Sequence, residues 1–322
     1  METSSYFIKN RALFGSYPTQ EKVDELEKLG VRYFVDLTCD NESKIKKYKT
    51  NYTYIRYPIE DHKVPTDWIS FSKFLVKICK IIRQLKHDNV NKEYELFFIS
   101  CKGGHGRAGI VVACLLCILG GYSVEKSLEL TNKYHSQREK MRELWRAVGS
   151  PQTNGQKRFV YKFFENLYFF RAYKSGFTMG FSNFCLYSVT TELGTFPTSE
   201  AAFQAYKDPE NKEYVKMQIE SKSPVYSKQL GMRCNLRKDW HDVRDFIMYK
   251  VVKLKFEQHE ELRNNLMNTG FRNIIERNFY NNNNNFQSTN KLGIILMKLR
   301  KEFIQKEIIL DTILKNVINK EE

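Results

Sequence analysis

The stretch "FFISCKGGHGRAGIVVACLL", residues 97–116, places a cysteine at the end of one apolar run and an arginine just before another. The run before Cys101 has the length of a buried strand, and the run after Arg107 is long enough for a buried helix. Three of the five residues between them are glycines, which permit a tight curl. The stretch therefore predicts a short loop from the carboxyl end of a strand to the amino end of a helix, as in α/β folds.

Such a loop has the properties of a phosphate site. Its backbone N–H groups can turn inward around an oxyanion at the positive end of the following helix. The same groups stabilise a thiolate, so Cys101 is expected to attack phosphorus while Arg107 binds two phosphate oxygens. The predicted phosphate-binding residues are Lys102, Gly103, Gly104, His105, Gly106 and Ala108.

The rest of the first half alternates helix and strand patterns. "TQEKVDELEKLG" at 19–30 predicts a helix that stops at Gly30, and "VRYFVDLT" at 31–38 predicts a strand. A second helix is expected to open at Thr66, with Trp68 among the apolar residues of its buried face. These patterns predict an α/β domain with a central sheet flanked by helices.

A change in composition marks a domain boundary near residue 165. The segment "VGSPQTNGQKRF" at 148–159 is followed by an aromatic-rich stretch and then by mostly helical patterns. We assign residues 1–165 to the α/β domain, residues 166–307 to a mostly α-helical domain, and residues 308–322 to a C-terminal helical tail.

Composition limits the class of protein. At 322 residues the chain is long enough for two domains, and no apolar run approaches the roughly 20 residues of a membrane span. Seven cysteines without framework spacing favour a reducing compartment, the cytoplasm or nucleus. The net charge of +15 suits anionic ligands, although a lysine-rich solvated surface explains it equally well.

Residues 10–165 resemble the compact dual-specificity type of cysteine-based protein tyrosine phosphatase, because Cys101 and Arg107 match its signature of a cysteine, five residues and an arginine. The resemblance implies a phosphocysteine intermediate, no metal, no cofactor and a general acid on an upstream loop. "YPIEDHKVP" at 57–65 stands where that acid is kept, which makes Asp61 the candidate and Glu60 the second choice. "SPQTNGQKRFV" at 150–160 resembles the segment whose glutamine orients the hydrolytic water, so the candidates are Gln152 and Gln156.

Two residues depart from the phosphatase pattern. Ser100 replaces the usual histidine before the cysteine, and Ala108 replaces the usual serine or threonine after the arginine. Without that hydroxyl, breakdown of the phosphoenzyme is expected to be slow, so a phosphate-binding pseudophosphatase is the alternative. Lys102 resembles the lysine of phosphatases that accept highly anionic substrates such as phosphoinositides, or else faces solvent. The expected substrate is therefore a phosphorylated protein or a phosphoinositide.

Residues 166–307 resemble the NADAR family, also called YbiA-like. The matching words are "GFSNF" at 180–184, "FPTSEAAFQAYK" at 196–207, "SPVYSKQLG" at 223–231, "DW" at 239–240, "VRDFIM" at 243–248, "KFEQ" at 255–258, "LMNTG" at 266–270 and "NKLGIILMKLR" at 290–300. The resemblance implies a mostly helical fold that acts on N-glycosidic bonds to ribose phosphates. An ADP-ribose-like ligand or an ADP-ribosylated nucleic acid would be the partner of this half.

Four residues are candidates for the second site. Glu200 and Lys207 lie seven positions apart and so share a helix face, while Asn183 and Trp240 would add hydrogen bonding and stacking. Glu200 could instead be a first-turn carboxylate, and Trp240 could be ordinary core. "ERNFYNNNNNFQST" at 276–289 lacks the Asp and the Trp-Gly pair that the family usually carries there, which is expected to weaken catalysis or change the ligand.

Three hypotheses follow. The chain is a phosphatase fused to an N-glycosidase, a binding protein whose pockets hold phosphate-bearing ligands, or a nucleic-acid-binding protein that acts through its basicity. The last lacks a recognised module. We favour the two-enzyme hypothesis, with the phosphatase as its stronger half.

Overall fold

The computed structural model describes residues 2–43, 45–88, 93–170, 176–277 and 290–321. The chain divides into two compact units, Met1–Phe164 and Glu165–Glu322. Within the described residues, no helix is both long enough and apolar enough to cross a bilayer.

The first unit is built on a five-stranded sheet. Its strands are β1 (Ser4–Ile8), β2 (Ala12–Ser16), β3 (Val31–Asp36), β4 (Thr53–Arg56) and β7 (Leu96–Cys101), and a separate pair joins β5 (His87–Asp88) to β6 (Glu93–Tyr94). The order across the sheet is β1-β2-β7-β3-β4, with β1 antiparallel to β2 and the other neighbours parallel. All six residues of β7 are buried, as expected for a central parallel strand covered on both faces.

The described residues of this unit form six helices: α1 (Gln20–Leu29), α2 (Trp68–Gln84), α3 (Arg107–Gly120), α4 (Val124–Ser136), α5 (Glu143–Val148) and α6 (Asn154–Phe164). Helix α1 ends at Gly30, which has a left-handed φ of 112°, as the sequence predicts. Helix α2 does not open at Thr66. Its N-cap is Asp67, whose carboxylate accepts from the Ser70 N–H at 2.9 Å. This hydrogen bond satisfies one of the N–H groups in the first turn that have no partner within the helix.

The second unit combines helices with short strands. Its strands are β8 (Asn166–Phe170), β9 (Val189–Thr191), β10 (Gly194–Phe196) and β11 (Asn273–Arg277), and its helices are α7 (Ser199–Ala205), α8 (Lys212–Ile219), α9 (Pro224–Leu230), α10 (Trp240–Gln258), α11 (Glu260–Met267) and α12 (Lys291–Glu321). Strands β9 and β10 are antiparallel, whereas β8 and β11 run parallel. Residues 308–321 continue α12 and do not form a separate element.

A buried lysine shapes one loop of this unit. Lys255 on α10 has 0% exposure, and its Nζ donates to the carbonyls of Gly180 at 2.8 Å and Ser182 at 3.0 Å. Burial lowers the pKa of Lys255 to about 7, although nearby Cys185 acts in the opposite sense. The lysine therefore fastens the "GFSNF" segment to α10.

Candidate active site

The loop between β7 and α3 forms where the sequence predicts it. Cys101 ends the strand and Arg107 begins the helix. Gly104 has a left-handed φ of +71° and donates its N–H to the Cys101 carbonyl at 3.2 Å. A Cβ at this position would clash with the backbone of Gly15 on β2. Glycine is therefore required at 104 both for its conformation and for the approach of the neighbouring strand.

Ser100 anchors the loop to the sheet. Its Oγ donates to the Val35 carbonyl at 3.1 Å, and its own carbonyl accepts from the Leu37 N–H at 3.0 Å. Its exposure is 0%, so the residue that replaces the family's histidine is part of the sheet packing. Cys101 is 3% exposed and Ala108 is fully buried, whereas Lys102 faces solvent.

The guanidinium of Arg107 is buried, at 1% exposure, and is held by Glu42. Nη2 donates to Glu42 Oε2 at 2.9 Å, Nη1 donates to Glu42 Oε1, and Nη1 also donates to the Ile59 carbonyl at 2.9 Å. Both terminal nitrogens therefore face a carboxylate of the protein.

Charges and burial act against each other in this pair. Burial raises the pKa of the Glu42 carboxyl, but the hydrogen bonds from Arg107 and from the Cys39 N–H, together with the positive charges of Arg107 and Lys102, lower it by more, and the net shift is downward. Burial alone lowers the pKa of Arg107, yet Glu42, Cys101 and Asp61 together raise it. Both side chains therefore stay ionised at neutral pH.

Asp61 lies at the mouth of the loop. Its Oδ1 is 2.9 Å from Arg107 Nη2, and its side chain is 43% exposed. The same oxygen accepts from the His62 N–H at 3.1 Å. Glu60 is exposed and forms no ion pair among the described residues. Of the two acids suggested by the sequence, Asp61 is the one that the structure brings to Arg107.

The two glutamines differ in their surroundings. Gln156 has 0% exposure and packs against Gly106 so closely that a Cβ there would meet its amide at 2.8 Å. Its Nε2 donates to the Lys63 carbonyl at 3.3 Å, and its Oε1 accepts from the Thr153 N–H at 3.1 Å. Gln152 is half-buried. The structure therefore joins Gln156 both to the phosphate loop and to the segment that carries Asp61.

His105 packs against His135 and Trp145 and is not a charged phosphate ligand. Its Nδ1 lies 2.7 Å from His135 Nε2, and its ring stacks on Trp145 with centroids 5.1 Å apart. Burial and the nearby Arg138 lower the pKa of His105 to about 4 and that of His135 to about 3. Both rings are therefore neutral at pH 7, and one N–H is shared between them.

The second unit brings its candidates together around α7. The Glu200 N–H donates to the Asn183 carbonyl at 3.1 Å, and Glu200 Oε1 accepts from Gln204 Nε2 at 2.8 Å. Asn183 Nδ2 donates to Met248 Sδ at 3.1 Å. The buried atoms Asn183 Oδ1 and Gln204 Oε1 have no partner among the described residues.

The prediction that Glu200 and Lys207 share one helix is wrong, because α7 ends at Ala205 and Lys207 lies two residues beyond it. Trp240 is the first residue of α10. Lys207 Nζ donates to the Gly231 carbonyl at 2.8 Å and lies 5.7 Å from the centre of the Trp240 ring. Burial lowers the pKa of Lys207, while the charges of Cys234 and Glu200 act in the opposite sense. Trp240 is 6% exposed and packs on Phe203, within the apolar core of this unit. Its surroundings are those of a core residue.

Sequence reasoning missed Glu42, Arg138 and Gln204. Glu42 lies beyond β3 at no fixed spacing from the loop, so only the folded chain pairs it with Arg107. Gln204 could have been found, since it follows Glu200 by four positions on one helix. Residues 278–289 of the departing segment lie outside the described residues. In the part of the chain that the structure describes, no group of three or more His, Cys, Asp or Glu side chains could hold a metal.

Two different family models match the two halves of the chain. A family model described as "Swiss Army Knife protein, DSP-PTPase phosphatase domain" matches residues 1–160, and the NADAR domain model matches residues 164–304. "Putative tyrosine phosphatase 197R" of Invertebrate iridescent virus 6 is 31% identical over 313 residues, which cover 94% of this chain and 96% of that protein.

Two comparisons concern the second unit. "N-glycosidase YbiA" of Shigella boydii serotype 4 (strain Sb227) is 34% identical over 128 residues, covering 38% of this chain and 79% of that protein. The solved structure of the E. coli protein YbiA is 29% identical, covers 45% of this chain and 89% of that one, and gives a TM-score of 0.39.

The class of protein is therefore a hydrolase, with a phosphatase domain of the tyrosine and dual-specificity type followed by a NADAR domain. The chain belongs to the same family as the protein named "Putative tyrosine phosphatase 197R" of Invertebrate iridescent virus 6. The two resemblances found in the sequence are confirmed.

The histidine pair should make stability depend on pH. The pKa values of both histidines are lowered in the folded state. Between pH 6.5 and about pH 4 the two histidines are therefore protonated in the unfolded chain but still neutral in the folded chain. The free energy of unfolding should therefore decrease as the pH is lowered from 6.5 to about 4, by up to about 1.4 kcal/mol per pH unit for each histidine. Urea denaturation at several pH values should give a shallower slope for His135→Asn, and an equal slope would contradict this assignment.

Glu42→Gln tests the buried ion pair. The substitution removes the buried counter-charge of Arg107 and leaves only the partly exposed Asp61, so we expect a loss of roughly 3 kcal/mol in the free energy of unfolding. Glu60→Gln, at an exposed carboxylate nearby, is the matched control and should change it by less than about 0.5 kcal/mol. Urea denaturation measures both, and similar losses in the two variants would show that Glu42 is not a structural partner of Arg107.

Proposed function

We propose that the first unit hydrolyses phosphomonoesters through a phosphocysteine intermediate. Cys101 Sγ attacks phosphorus, the bond from phosphorus to the ester oxygen breaks, and Asp61 gives that oxygen a proton. Water then attacks the phosphocysteine, Asp61 takes the proton, and the S–P bond breaks to return the thiolate. The observation that carries the proposal is the convergence of Cys101, Arg107 and Asp61 at one loop.

The contact between Asp61 and Arg107 supports an exchange on substrate binding. A phosphate that takes Nε and Nη2 of Arg107 in bidentate fashion would replace Asp61 at Nη2. The carboxyl group would then be released beside the ester oxygen that must be protonated. Gln156, packed on Gly106, is the better placed of the two glutamines to orient water, whereas buried Ala108 offers no hydroxyl to the leaving thiolate.

The substrate class follows from charge. The net charge of +15 and solvent-facing Lys102 favour an anionic partner, such as a phosphorylated protein or a phosphoinositide. The alternative, a binding protein that holds such ligands without turnover, rests on Ala108.

Hydrolysis of p-nitrophenyl phosphate tests the proposal. Cys101→Ser should abolish phosphate release, and Asp61→Asn should lower kcat by about 10²–10⁴-fold because the general acid is lost. Glu60→Gln is the control and should keep the activity of the wild type. Binding of vanadate without any turnover by the wild type would favour the binding protein, and activity that survives Cys101→Ser would rule out the nucleophile.

We infer that the second unit holds a ribose-phosphate ligand and cleaves its N-glycosidic bond. Asn183, Glu200 and Gln204 form a polar cluster in which two buried oxygens have no partner among the described residues, and such atoms favour a ligand that donates hydrogen bonds. Glu200 is placed to stabilise the positive charge that develops on the sugar. The relative named N-glycosidase YbiA supports this reaction class.

Release of ADP-ribose from ADP-ribosylated guanine tests this second activity. Glu200→Gln should lower kcat by about 10²-fold or more while ADP-ribose still binds, because it removes charge and keeps shape. Glu213→Gln, at an exposed carboxylate of α8, is the matched control. Equal turnover by Glu200→Gln and wild type would refute the role of Glu200, and ligand binding without turnover by wild type would leave a binding domain.

A further inference from the structure

A second cavity lies beside the phosphate loop. It has a volume of about 220 Å³ and shares Gly103 and His105 with the loop. Its other wall is the segment between α4 and α5, which contributes Arg138, Lys140 and Arg142. Three positive side chains thus border a space directly next to the one where Cys101 would hold a phosphorus atom.

Arg138 has a buried charge without a carboxylate partner. It is 2% exposed, its Nη2 donates to the Phe14 carbonyl at 3.3 Å, and its guanidinium lies 4.4 Å from the centre of the Phe14 ring. Its Nε is buried and has no acceptor, and no carboxylate among the described residues forms an ion pair with it. A buried cation is costly unless an anion accompanies it, so this side chain indicates an anionic ligand.

The rest of the lining fits the same ligand. Lys140 and Arg142 are exposed, and the ion pair of Lys140 with Glu2, at 2.6 Å, lies between two exposed side chains. Such a pair contributes little and can exchange its carboxylate for a phosphate. Thr3 and Ser16, both half-buried, add hydroxyl groups. Neutral His105 leaves the positive charge on the three basic residues.

Arg138 also lies close enough to Cys101 for the thiol to affect its charge: burial lowers the pKa of Arg138 to about 10, and Cys101 acts in the opposite sense. Arg138 alone could therefore support a thiolate without any second ligand. Lys140 and Arg142 distinguish support of the Cys101 thiolate from binding of a second anion. Both side chains are exposed at the rim of the cavity, where they do not stabilise a buried thiolate but can bind an anion.

The charge of a third cavity bears on the kind of anion that fits beside the phosphate loop. It adjoins the second one at Thr3 and Ser16, and its charged lining is Glu2, Glu21, Lys22 and Glu25. This net negative surface disfavours an acidic peptide that runs along the unit and favours a compact anion.

We propose that the cavity bordered by Arg138, Lys140 and Arg142 binds a second phosphate group of the substrate, so that the first unit prefers compact bis-phosphorylated molecules to monophosphates. The proposal rests on the phosphatase function proposed above and adds its substrate class. The bis-phosphate can be a free inositol phosphate or the same headgroup on a lipid.

Inorganic phosphate is the probe for a binding test. Orthovanadate first fills the loop, which is verified by inhibition of p-nitrophenyl phosphate hydrolysis, and phosphate is then titrated while tryptophan fluorescence is followed, since Trp145 lines the cavity. Wild type should show saturable binding, and Lys140→Gln/Arg142→Gln should weaken it by about tenfold or more. Lys133→Gln/Arg158→Gln, which removes two exposed cations outside the cavity, is the matched control.

Hydrolysis is the second measurement. The Lys140→Gln/Arg142→Gln variant should keep the wild-type kcat/KM for p-nitrophenyl phosphate but lose about tenfold for inositol bisphosphate, mainly through KM. Soluble inositol bisphosphate and vesicles containing phosphatidylinositol bisphosphate distinguish the two sources. No saturable phosphate binding by the vanadate-filled wild type, or an unchanged preference for bisphosphate over monophosphate in the variant, would overturn the proposal. So would turnover confined to doubly phosphorylated peptides. Failure of the phosphatase function itself would show separately, as absent hydrolysis of p-nitrophenyl phosphate.

Discussion

The first unit depends on one buried cation. Arg107 carries its charge at 1% exposure and is compensated by Glu42 from the segment after β3, by the Ile59 carbonyl and by Asp61. Removing one partner of a buried ion pair typically costs about 3–5 kcal/mol, which is comparable to much of the stability of a whole domain, about 5–15 kcal/mol. The residue that would bind phosphate therefore also fixes the two segments around it, and for this reason the loop cannot be altered at Arg107 without loosening its surroundings.

Sequence patterns predicted the parts of this site that depend on local order. The apolar run of β7, the glycines after it and the apolar run of α3 are contiguous, so the strand, the loop and the helix follow from neighbouring residues alone. Asp61 was predicted through a resemblance, and the structure brings it to Arg107. Glu42 and Arg138 could not be found in this way, because each reaches the loop from a distant segment whose approach depends on sheet order and on the path of the chain after α4. The sequence likewise did not distinguish Thr66 from Asp67 as the cap of α2, because the answer depends on which side chain accepts a hydrogen bond from the first turn.

The second unit poses a different problem. The sequence predicted that Glu200 and Lys207 share a helix face and that Asn183 and Trp240 line the same pocket. In the structure the Asn183 carbonyl meets the first turn of α7, Lys207 lies beyond the end of that helix, and Trp240 lies in apolar core. A buried polar atom without a hydrogen bond costs about 1–3 kcal/mol, so a ligand group that donates to Asn183 Oδ1 or Gln204 Oε1 would bind favourably there. Sequence alone cannot reveal such atoms, because their lack of a partner depends on every neighbour in three dimensions. The burial of Lys255 is likewise not readable from the sequence, because it depends on the position of the backbone carbonyls of residues 180 and 182.

The parallel pairing of β8 with β11 has a consequence for the order of folding during synthesis. Asn166 lies opposite Asn273 and Phe170 opposite Arg277, so the second unit joins its first strand to one more than a hundred residues later. The sheet of the first unit, by contrast, has all of its strands before residue 102. As the chain leaves the ribosome, the first unit can complete its sheet while β8 still waits for its partner. Nascent chains therefore carry an unpaired strand edge until residues 273–277 have been made.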